Sequence, residues 1–253
     1  MGAADLHIHT GHSDGMMTVP ELLAHASHAT SLDVIAIADH DQVRGALDAA
    51  ELRAGLAGDK PHVVVGTEIS ASWGRHVLAL FFREPYPTVP FPRFRGLRET
   101  AASVSDAGGV LILPHALSRL VPSVGERALR HLLHDPTARR VITGLEVCSG
   151  VVGGRRAEGR LRRLNIAGWK LAEVGSSDAH HLDQVGSAYT EFQGRTPGDL
   201  ERALAERTTV ARWGDVARVP LLSHVRQGWR SLVVKPAREL RGGLAAVTSR
   251  RGW

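Results

Sequence analysis

Two histidines near the amino terminus, His7 and His9, have one residue between them and lie in a short apolar segment. Residues at positions i and i+2 of a β-strand point to the same face, so both imidazoles can approach one ion. Asp14 follows in the next loop. Imidazole and carboxylate groups suit Mn, Fe or Zn. The spacing therefore predicts a divalent-metal site close to the amino terminus.

More histidines and carboxylates lie beside later apolar segments, namely His40, Glu68, His76, His115, Asp178 and His180. One such residue is more often an ordinary hydrogen-bonded side chain than a ligand. The recurrence of these residues at the ends of successive segments is hard to explain in that way. They are too many for one ion, and multinuclear sites need shared carboxylates, which Glu68 or Asp178 could supply.

These side chains need a scaffold that brings strand ends together. Hydrophobic runs predict strands at 3–8, 34–38, 63–67, 77–82, 110–113, 142–147 and 174–175. Helical spacing predicts helices at 20–29, 44–56, 94–107, 125–133 and 155–168, and a closing strand, helix and strand at 187–192, 197–206 and 208–212. This alternation predicts an α/β fold of parallel strands, closed or nearly closed into a barrel whose carboxyl-end rim carries the site.

The basic residues of the chain are concentrated at its carboxyl end. The sequence has 31 Lys+Arg and 26 Asp+Glu, of which 8 and 1 lie in residues 218–253, so that segment has a net charge of +7 and the remainder −2. We therefore predict a barrel domain over residues 1–217 and a peripheral, helical, basic extension over 218–253. The extension could bind nucleic acid or a surface, or it could dock on the barrel or on a second subunit to form a homo-oligomer.

Composition excludes several classes of protein. A hydrophobic fraction of 43% and a charged fraction of 23% are typical of a folded chain and exclude disorder. Cys148 is the only cysteine, which excludes an intramolecular disulfide, and we expect it to pack in a strand. The apolar runs are too short to span a bilayer, and the first motif leaves no room for a signal peptide, so we expect a cytoplasmic protein.

The order of the motifs closely resembles the polymerase-and-histidinol-phosphatase (PHP) family of metal-dependent phosphoesterases. The matching stretches are Asp5-Leu-His-Ile-His-Thr10, Ser13-Asp-Gly15, Ile37-Ala-Asp-His-Asp41, Gly66-Thr-Glu-Ile-Ser70, His76-Val-Leu-Ala-Leu80, Pro114-His115 and Ser177-Asp-Ala-His180. The resemblance covers about residues 3–212. It implies a distorted, TIM-like (β/α)7 barrel that holds three divalent metal ions.

The resemblance also implies a role for each ligand. The first metal would be held by His7, His9, Glu68 and Asp178; Glu68 would bridge to a second, held by His76 and His115; and the third would be held by Asp14, His40 and His180. Catalytic roles would belong to Glu68, Asp178 and His180. The implied activity is hydrolysis of a phosphoester in a small phosphorylated metabolite, a nucleotide or a short oligonucleotide by a metal-activated water. A helical insert that often follows the His76 strand in nucleotidase-like members has no counterpart here.

Other residues are candidates for contacting a substrate. Arg119, Arg155 and Arg156 follow rim-side strand ends and could bind phosphate, and Glu146 either faces the pocket or pairs with an arginine. The five tryptophans are scattered along the chain and predict no stacking array for single-stranded nucleic acid. Two other functions remain: a nucleic-acid- or surface-associating protein that uses the basic extension, and a metal-dependent amide hydrolase.

Overall fold

The protein is described by a computed structural model that covers residues 1–56, 58, 61–118 and 120–215. Within these residues nine strands form one sheet: β1 (Gly2–Ile8), β2 (Val34–Ile37), β3 (His62–Ser70), β4 (His76–Phe81), β5 (Val110–Leu113), β6 (Ile142–Ser149), β7 (Ala172–Ser176), β8 (Ala188–Phe192) and β9 (Val210–Trp213). The α-helices of the described residues are α1 (Val19–Ala29), α2 (Arg44–Ala54), α3 (Leu97–Asp106), α4 (Glu126–Leu132), α5 (Pro136–Val141), α6 (Gly154–Leu164) and α7 (Pro197–Glu206). The predicted α/β class is confirmed.

The sheet has the strand order β7-β6-β5-β4-β3-β2-β1-β8-β9. Strands β1 to β3 are parallel to one another, as are β5 to β7. The prediction of parallel strands is wrong for β8, which is antiparallel to β1 and β9. It is also wrong for β4, which is antiparallel to β3 and β5 because a short turn joins it to β3. This reversal brings His76, at the amino end of β4, opposite Ser70, at the carboxyl end of β3. His76 and Glu68 therefore share one rim.

The end of strand β1 and the residues that follow strand β7 meet at this rim. Ile8 of β1 forms a parallel bridge with Ala179, which follows β7. The backbone N–H of His9 donates to the carbonyl of Ala179 at 2.8 Å, and the N–H of Ala179 donates to the carbonyl of His7 at 3.2 Å. Farther along the seam, the hydroxyl of Thr190 on β8 donates to the carbonyl of Gly175 on β7 at 2.9 Å. The result is the nearly closed barrel that the sequence predicted.

The buried apolar side chains form two clusters, one on each face of the sheet. The outer cluster joins strand residues such as Ile35 to Leu22 of α1 and Val104 of α3. The inner cluster joins Leu6 and other strand residues to the apolar side chains of α7. A bulge shifts the register of β1 against β2 between Asp5 and Ile8. Bulges re-aim side chains, and this one allows Leu6 to pack inside while His7 and His9 both reach the rim.

The helix predictions hold in most places and fail in two. α1 begins as predicted, with Thr18 as its cap in a capping box with Glu21. The helix predicted to begin at Phe94 begins at Leu97, because Phe94 has a left-handed backbone with φ +58°. Helix α5 was not predicted, although its start is marked by Asp135, which caps it, and by the following proline.

None of the described helices is long and apolar enough to cross a membrane. The basic extension at 218–253 lies outside the described residues, so the domain boundary and the helical structure of the extension stay predictions.

Candidate metal centre

The rim of the barrel brings together all nine predicted ligand side chains. Their ligating atoms form four overlapping groups, and within each group the atoms lie within 4.8 Å of one another. The groups are His9, Asp14, His40 and His180; His7, His115 and Asp178; His7, His9 and Glu68; and His40, Glu68 and His76. Residues far apart in sequence thus form one continuous cluster of imidazoles and carboxylates.

Glu68 lies at the centre of the cluster and is 1% exposed. Its Oε2 atom is 3.2 Å from Nε2 of His7 and 3.4 Å from Nε2 of His9. Its Oε1 atom is 2.9 Å from Nδ1 of His76 and 3.1 Å from Nε2 of His115. The two oxygens of one carboxylate therefore face two different sets of histidines, as a bridging ligand must.

The group around His7 and His9 has the spacing of a coordination shell. Their Nε2 atoms are 3.1 Å apart, and Oδ1 of Asp178 is 3.0 Å from Nε2 of His9 and 3.5 Å from Nε2 of His7. Ligands about 2.1 Å from one ion lie roughly 3.0–3.4 Å from each other in octahedral or tetrahedral geometry. The separations that join His7 and His9 to each other, to Glu68 and to Asp178 are 3.0–3.5 Å, close to those values, so these side chains fit a divalent ion.

The third group is more open than the first. Oδ1 of Asp14 is 3.4 Å from Nε2 of His180, and Oδ2 is 3.8 Å from Nε2 of His40. Nδ1–H of His180 donates to the carbonyl of Asp178 at 2.9 Å, which leaves Nε2 of that ring for the group. His40 also approaches Glu68, with Nδ1 3.2 Å from Oε2. The open spacing indicates that this group would hold an ion less tightly than the first.

Asp39 holds the loop that carries Asp14. Its Oδ1 accepts from the backbone N–H of Thr10 at 2.8 Å and from the hydroxyl of Ser13 at 2.5 Å, and its Oδ2 accepts from the hydroxyl of Thr10 at 2.6 Å. A Cβ on Gly45 would lie 2.2 Å from Oδ2 of Asp39, so the close approach of α2 requires glycine there. Asp39 therefore positions the ligand loop.

Glu146 is fully buried, and its role differs from both predictions made for it. Its Oε1 accepts from Nδ1–H of His7 at 2.9 Å, and its Oε2 accepts from the backbone N–H of His115 at 2.7 Å. Among the described residues, the hydrogen bonds of its two oxygens thus go to ligand-bearing segments and not to an arginine. A carboxylate on the far nitrogen of a metal-binding histidine fixes the tautomer and the ring orientation, and here it turns Nε2 of His7 toward Glu68.

The predicted phosphate-binding arginines have different placements. Arg155 lies over the ring of Trp213, with Cζ 4.2 Å from the ring centroid. Arg156 lines a cavity of about 360 Å³ that His115 also lines. Arg119 lies outside the described residues. Among the described pair, Arg156 therefore has the better position for a substrate contact.

Cys148 packs in β6 as expected. It is buried, and burial raises the pKa of its thiol to about 11. A thiol with a raised pKa has little thiolate at neutral pH and is a poor nucleophile. The site's chemistry therefore does not depend on Cys148.

The carboxylates of the cluster stabilise positive charge on the groups that surround them. Burial disfavours the charged form of His9, but Asp178 and Glu68 outweigh it and raise the pKa of His9 to about 10. Burial also opposes ionisation of Asp178, yet His7, His9 and His180 hold its pKa well below the usual range. The buried Nδ1 of His115 has no hydrogen-bond partner among the described residues. A buried set of nitrogen and oxygen donors whose carboxylates stabilise nearby positive charge fits divalent metal ions.

The chain is similar to several known proteins. A family model described as PHP-associated matches residues 157–209. A 5′-3′ exoribonuclease of Haemophilus influenzae is 36% identical over 103 residues, which are 39% of this chain and 36% of that protein. A 3′,5′-nucleoside bisphosphate phosphatase of Chromobacterium violaceum is 37% identical over 78 residues, 31% of this chain and 26% of that protein. The chain therefore spans only about a third or a quarter of the length of these two relatives.

Solved structures extend the likeness to nearly the whole described fold. PsfC of Pseudomonas syringae superposes with a TM-score of 0.63 at 18% identity, covering 90% of this chain and 97% of that one. A Bifidobacterium adolescentis protein described as a metal-dependent phosphoesterase superposes with a TM-score of 0.57 at 20% identity, covering 87% and 98%. The fold and the ligand rim define an α/β barrel of the PHP type. In this fold, in the matched family model and in these relatives, the chain is similar to the polymerase-and-histidinol-phosphatase family.

Proposed function

We propose that this protein is a metal-dependent phosphoesterase that hydrolyses a small phosphorylated metabolite, a nucleotide or a short oligonucleotide at a site for three ions. The observation that carries this proposal is that the two carboxylate oxygens of Glu68 face different histidines. Oε2 faces His7 and His9, and Oε1 faces His76 and His115. A carboxylate shared in this way would hold two divalent ions, as the active sites of two-metal phosphoesterases require.

The reaction needs positive charge where the phosphate oxygens gather negative charge. Divalent ions, when bound, supply that charge and lower the pKa of a water so that it can attack phosphorus. The chain's own residues fix the geometry: Glu146 orients His7, Asp39 holds the loop of Asp14, and the carbonyl of Asp178 orients His180.

The relatives support a phosphoester substrate. Those with sequence similarity include an exoribonuclease and a nucleoside bisphosphate phosphatase, both named for reactions on nucleotide phosphates. The group of Asp14, His40 and His180 also favours phosphate over an amide, because a third ion suits the several oxygens of a phosphate better than one carbonyl oxygen.

The decisive assay compares substrates with the protein loaded with Mn²⁺ or Zn²⁺. We expect turnover of p-nitrophenyl phosphate, bis-p-nitrophenyl phosphate, a nucleoside 3′,5′-bisphosphate or a 5′-phosphorylated tetranucleotide, and none of an N-acetylated amide. Glu68→Gln should lose the activity, while Glu191→Gln, at a half-buried residue of β8 that pairs with Arg212, should keep it. The proposal fails if only the amide is cleaved, or if none of the phosphoesters is turned over.

The predictions for the basic extension need a separate test. A chain that ends at Arg218 should lose salt-sensitive RNA binding if the extension binds nucleic acid. The same truncation should change the oligomeric state if the extension joins subunits. The cytoplasmic location also stays a prediction, which fractionation of the source cells would check.

A further inference from the structure

Two aromatic side chains stand exposed beside the ligand rim. Trp73 is 89% exposed and Phe94 is 60% exposed. Both have left-handed backbones, with φ +63° and +58°. Bulky residues rarely adopt that conformation, which is strained for them and persists only where the surrounding structure enforces it. Two such aromatics exposed to solvent are not explained by packing.

Backbone hydrogen bonds fix the two segments that carry these rings against each other. The N–H of Ser72 donates to the carbonyl of Arg95, and the N–H of Phe94 donates to the carbonyl of Ser70, both at 2.7 Å. Asp41 strengthens the junction, since it accepts from the N–H of Ser70 at 2.6 Å and pairs with Nε of Arg93 at 3.0 Å. The aromatic pair therefore has a rigid base.

This base is part of the ligand rim. Trp73 lies at the tip of the turn between β3 and β4, whose two sides carry Glu68 and His76. Three extended residues reach at most about 10 Å, so Trp73 lies within that distance of His76 along the chain. Residues 82–109, which follow β4, contain α3 as their one helix, and the exposed ring of Trp73 lies outside it.

Positive charge accompanies the rings. The Cζ atom of Arg93 lies 5.0 Å from the centroid of the Phe94 ring. Arg95 is exposed next to Phe94, and Arg75 is half-buried between Trp73 and His76. Exposed aromatic rings beside cationic side chains are the combination that binds unpaired bases and their phosphates.

We propose that Trp73 and Phe94 form a stacking platform for an unpaired nucleobase of the substrate, with Arg75, Arg93 and Arg95 beside its phosphates. This inference rests on the proposed phosphoesterase function and narrows its substrate class to nucleotides or single-stranded oligonucleotide ends. It stands against the expectation of no stacking array, which was drawn from the tryptophans alone. The tryptophans are scattered in sequence, but backbone hydrogen bonds join the segment of Trp73 to that of Phe94, 21 positions away.

A binding measurement without metal tests the platform apart from catalysis. Full-length protein in EDTA is titrated into a fluorescein-labelled tetranucleotide, and anisotropy gives the Kd. Removing the aromatic side chain on which a base stacks should weaken binding about 5- to 100-fold. We expect that loss for Trp73→Asn, which suits a left-handed backbone, and a smaller loss for Phe94→Ala, while Trp73→Phe should restore most of the affinity. Ile166→Ala, at a side chain that is 75% exposed, is the matched control and should bind as wild type.

A competition experiment shows whether the stacked base belongs to the hydrolysed nucleotide or to its neighbour. Unlabelled nucleoside 3′,5′-bisphosphate competes against the tetranucleotide: equal losses for both ligands in Trp73→Asn mean that the stacked base belongs to the nucleotide itself. A loss for the tetranucleotide alone means that it belongs to a neighbouring nucleotide. Either result supports the platform.

The proposal is overturned if Trp73→Asn and Phe94→Ala bind the tetranucleotide as wild type. It is also overturned if these variants change only the sedimentation of the protein, because the rings would then cover a second copy of the chain. If the wild-type protein turns over no phosphoester, the proposed function fails, and the binding result is judged separately.

Discussion

The carboxylate of Glu146 lies 2.9 Å from Nδ1 of His7, at the base of the ligand rim. The same carboxylate accepts from the backbone N–H of His115 at 2.7 Å. One buried side chain thus sets both the ring orientation of a ligand on β1 and the backbone of a ligand that follows β5. The ligand cluster depends on this carboxylate although it contributes no ligand atom to the predicted sites.

We expect Glu146→Gln to weaken metal binding about 10- to 100-fold, the usual effect of losing such a partner. The amide keeps the shape of the side chain, but it has a single acceptor oxygen for two donors, so either His7 or His115 loses its partner. Isothermal titration with Mn²⁺ measures the change. Glu191→Gln is the control, and an unchanged Mn²⁺ affinity in Glu146→Gln would contradict the positioning role.

Ion content should depend on which ligand is removed. Glu68→Ala should lose two ions, because both oxygens of that carboxylate face histidine groups, whereas His76→Ala should lose one. Dialysis of the wild type should remove the ion of the open Asp14 group first. Metal analysis of the dialysed proteins gives the counts, and equal losses in the two variants would show that Glu68 does not bridge.

Metal removal should also lower thermal stability. Ions that bind only the folded chain stabilise it by mass action, so the Tm should rise with added Mn²⁺ and fall with EDTA. In Glu68→Ala, the Tm should change much less with Mn²⁺ and EDTA than it does in the wild type. Differential scanning fluorimetry measures it, and a Tm that ignores both Mn²⁺ and EDTA in the wild type would argue against ions at the rim.

Gly45→Ala should disturb the loop that carries Asp14. The new Cβ would lie 2.2 Å from Oδ2 of Asp39 and 2.8 Å from the hydroxyl of Thr10, so their hydrogen bond must move. We expect a loss of about 1–3 kcal/mol in the free energy of unfolding, as for other overpacked sites. Urea titration measures it. Gly159→Ala on exposed α6 is the control and should be neutral or stabilising by up to about 1 kcal/mol.

Cys148 should resist thiol reagents in the folded protein. Its burial and its raised pKa of about 11 leave little reactive thiolate at pH 8. The rate of labelling by iodoacetamide should rise steeply in urea, when the chain unfolds. Rapid labelling of the native protein would show that the strand β6 opens, or that the thiol is less buried than described.

The candidate ligand residues could be predicted from sequence because all of them except Asp14, which lies in a loop, are close to the end of a short apolar run. The barrel could be predicted from the alternation of strands and helices. The reversal of β4 left a mark only in the short gap between Glu68 and His76. The role of Glu146 depends on two contacts across 139 and 31 positions, which no local pattern encodes.

The proposed aromatic platform could not be predicted from sequence for a similar reason. Trp73 and Phe94 have no periodic relation, and the segment of Phe94 was predicted to be helical. A left-handed backbone at a phenylalanine is enforced by tertiary hydrogen bonds, here those that join Ser70 and Ser72 to the neighbouring segment. Helix propensity alone cannot anticipate it.

The seam of the barrel is closed by the backbones of two ligands. His9 donates to the carbonyl of Ala179, and Ala179 donates to the carbonyl of His7, while Asp178 and His180 flank that alanine. Opening the seam would separate the ligands on β1 from those after β7. Hydrogen–deuterium exchange at the amides of His9 and Ala179 should therefore slow when ions fill the rim, so that two backbone protons report the occupancy of the whole centre.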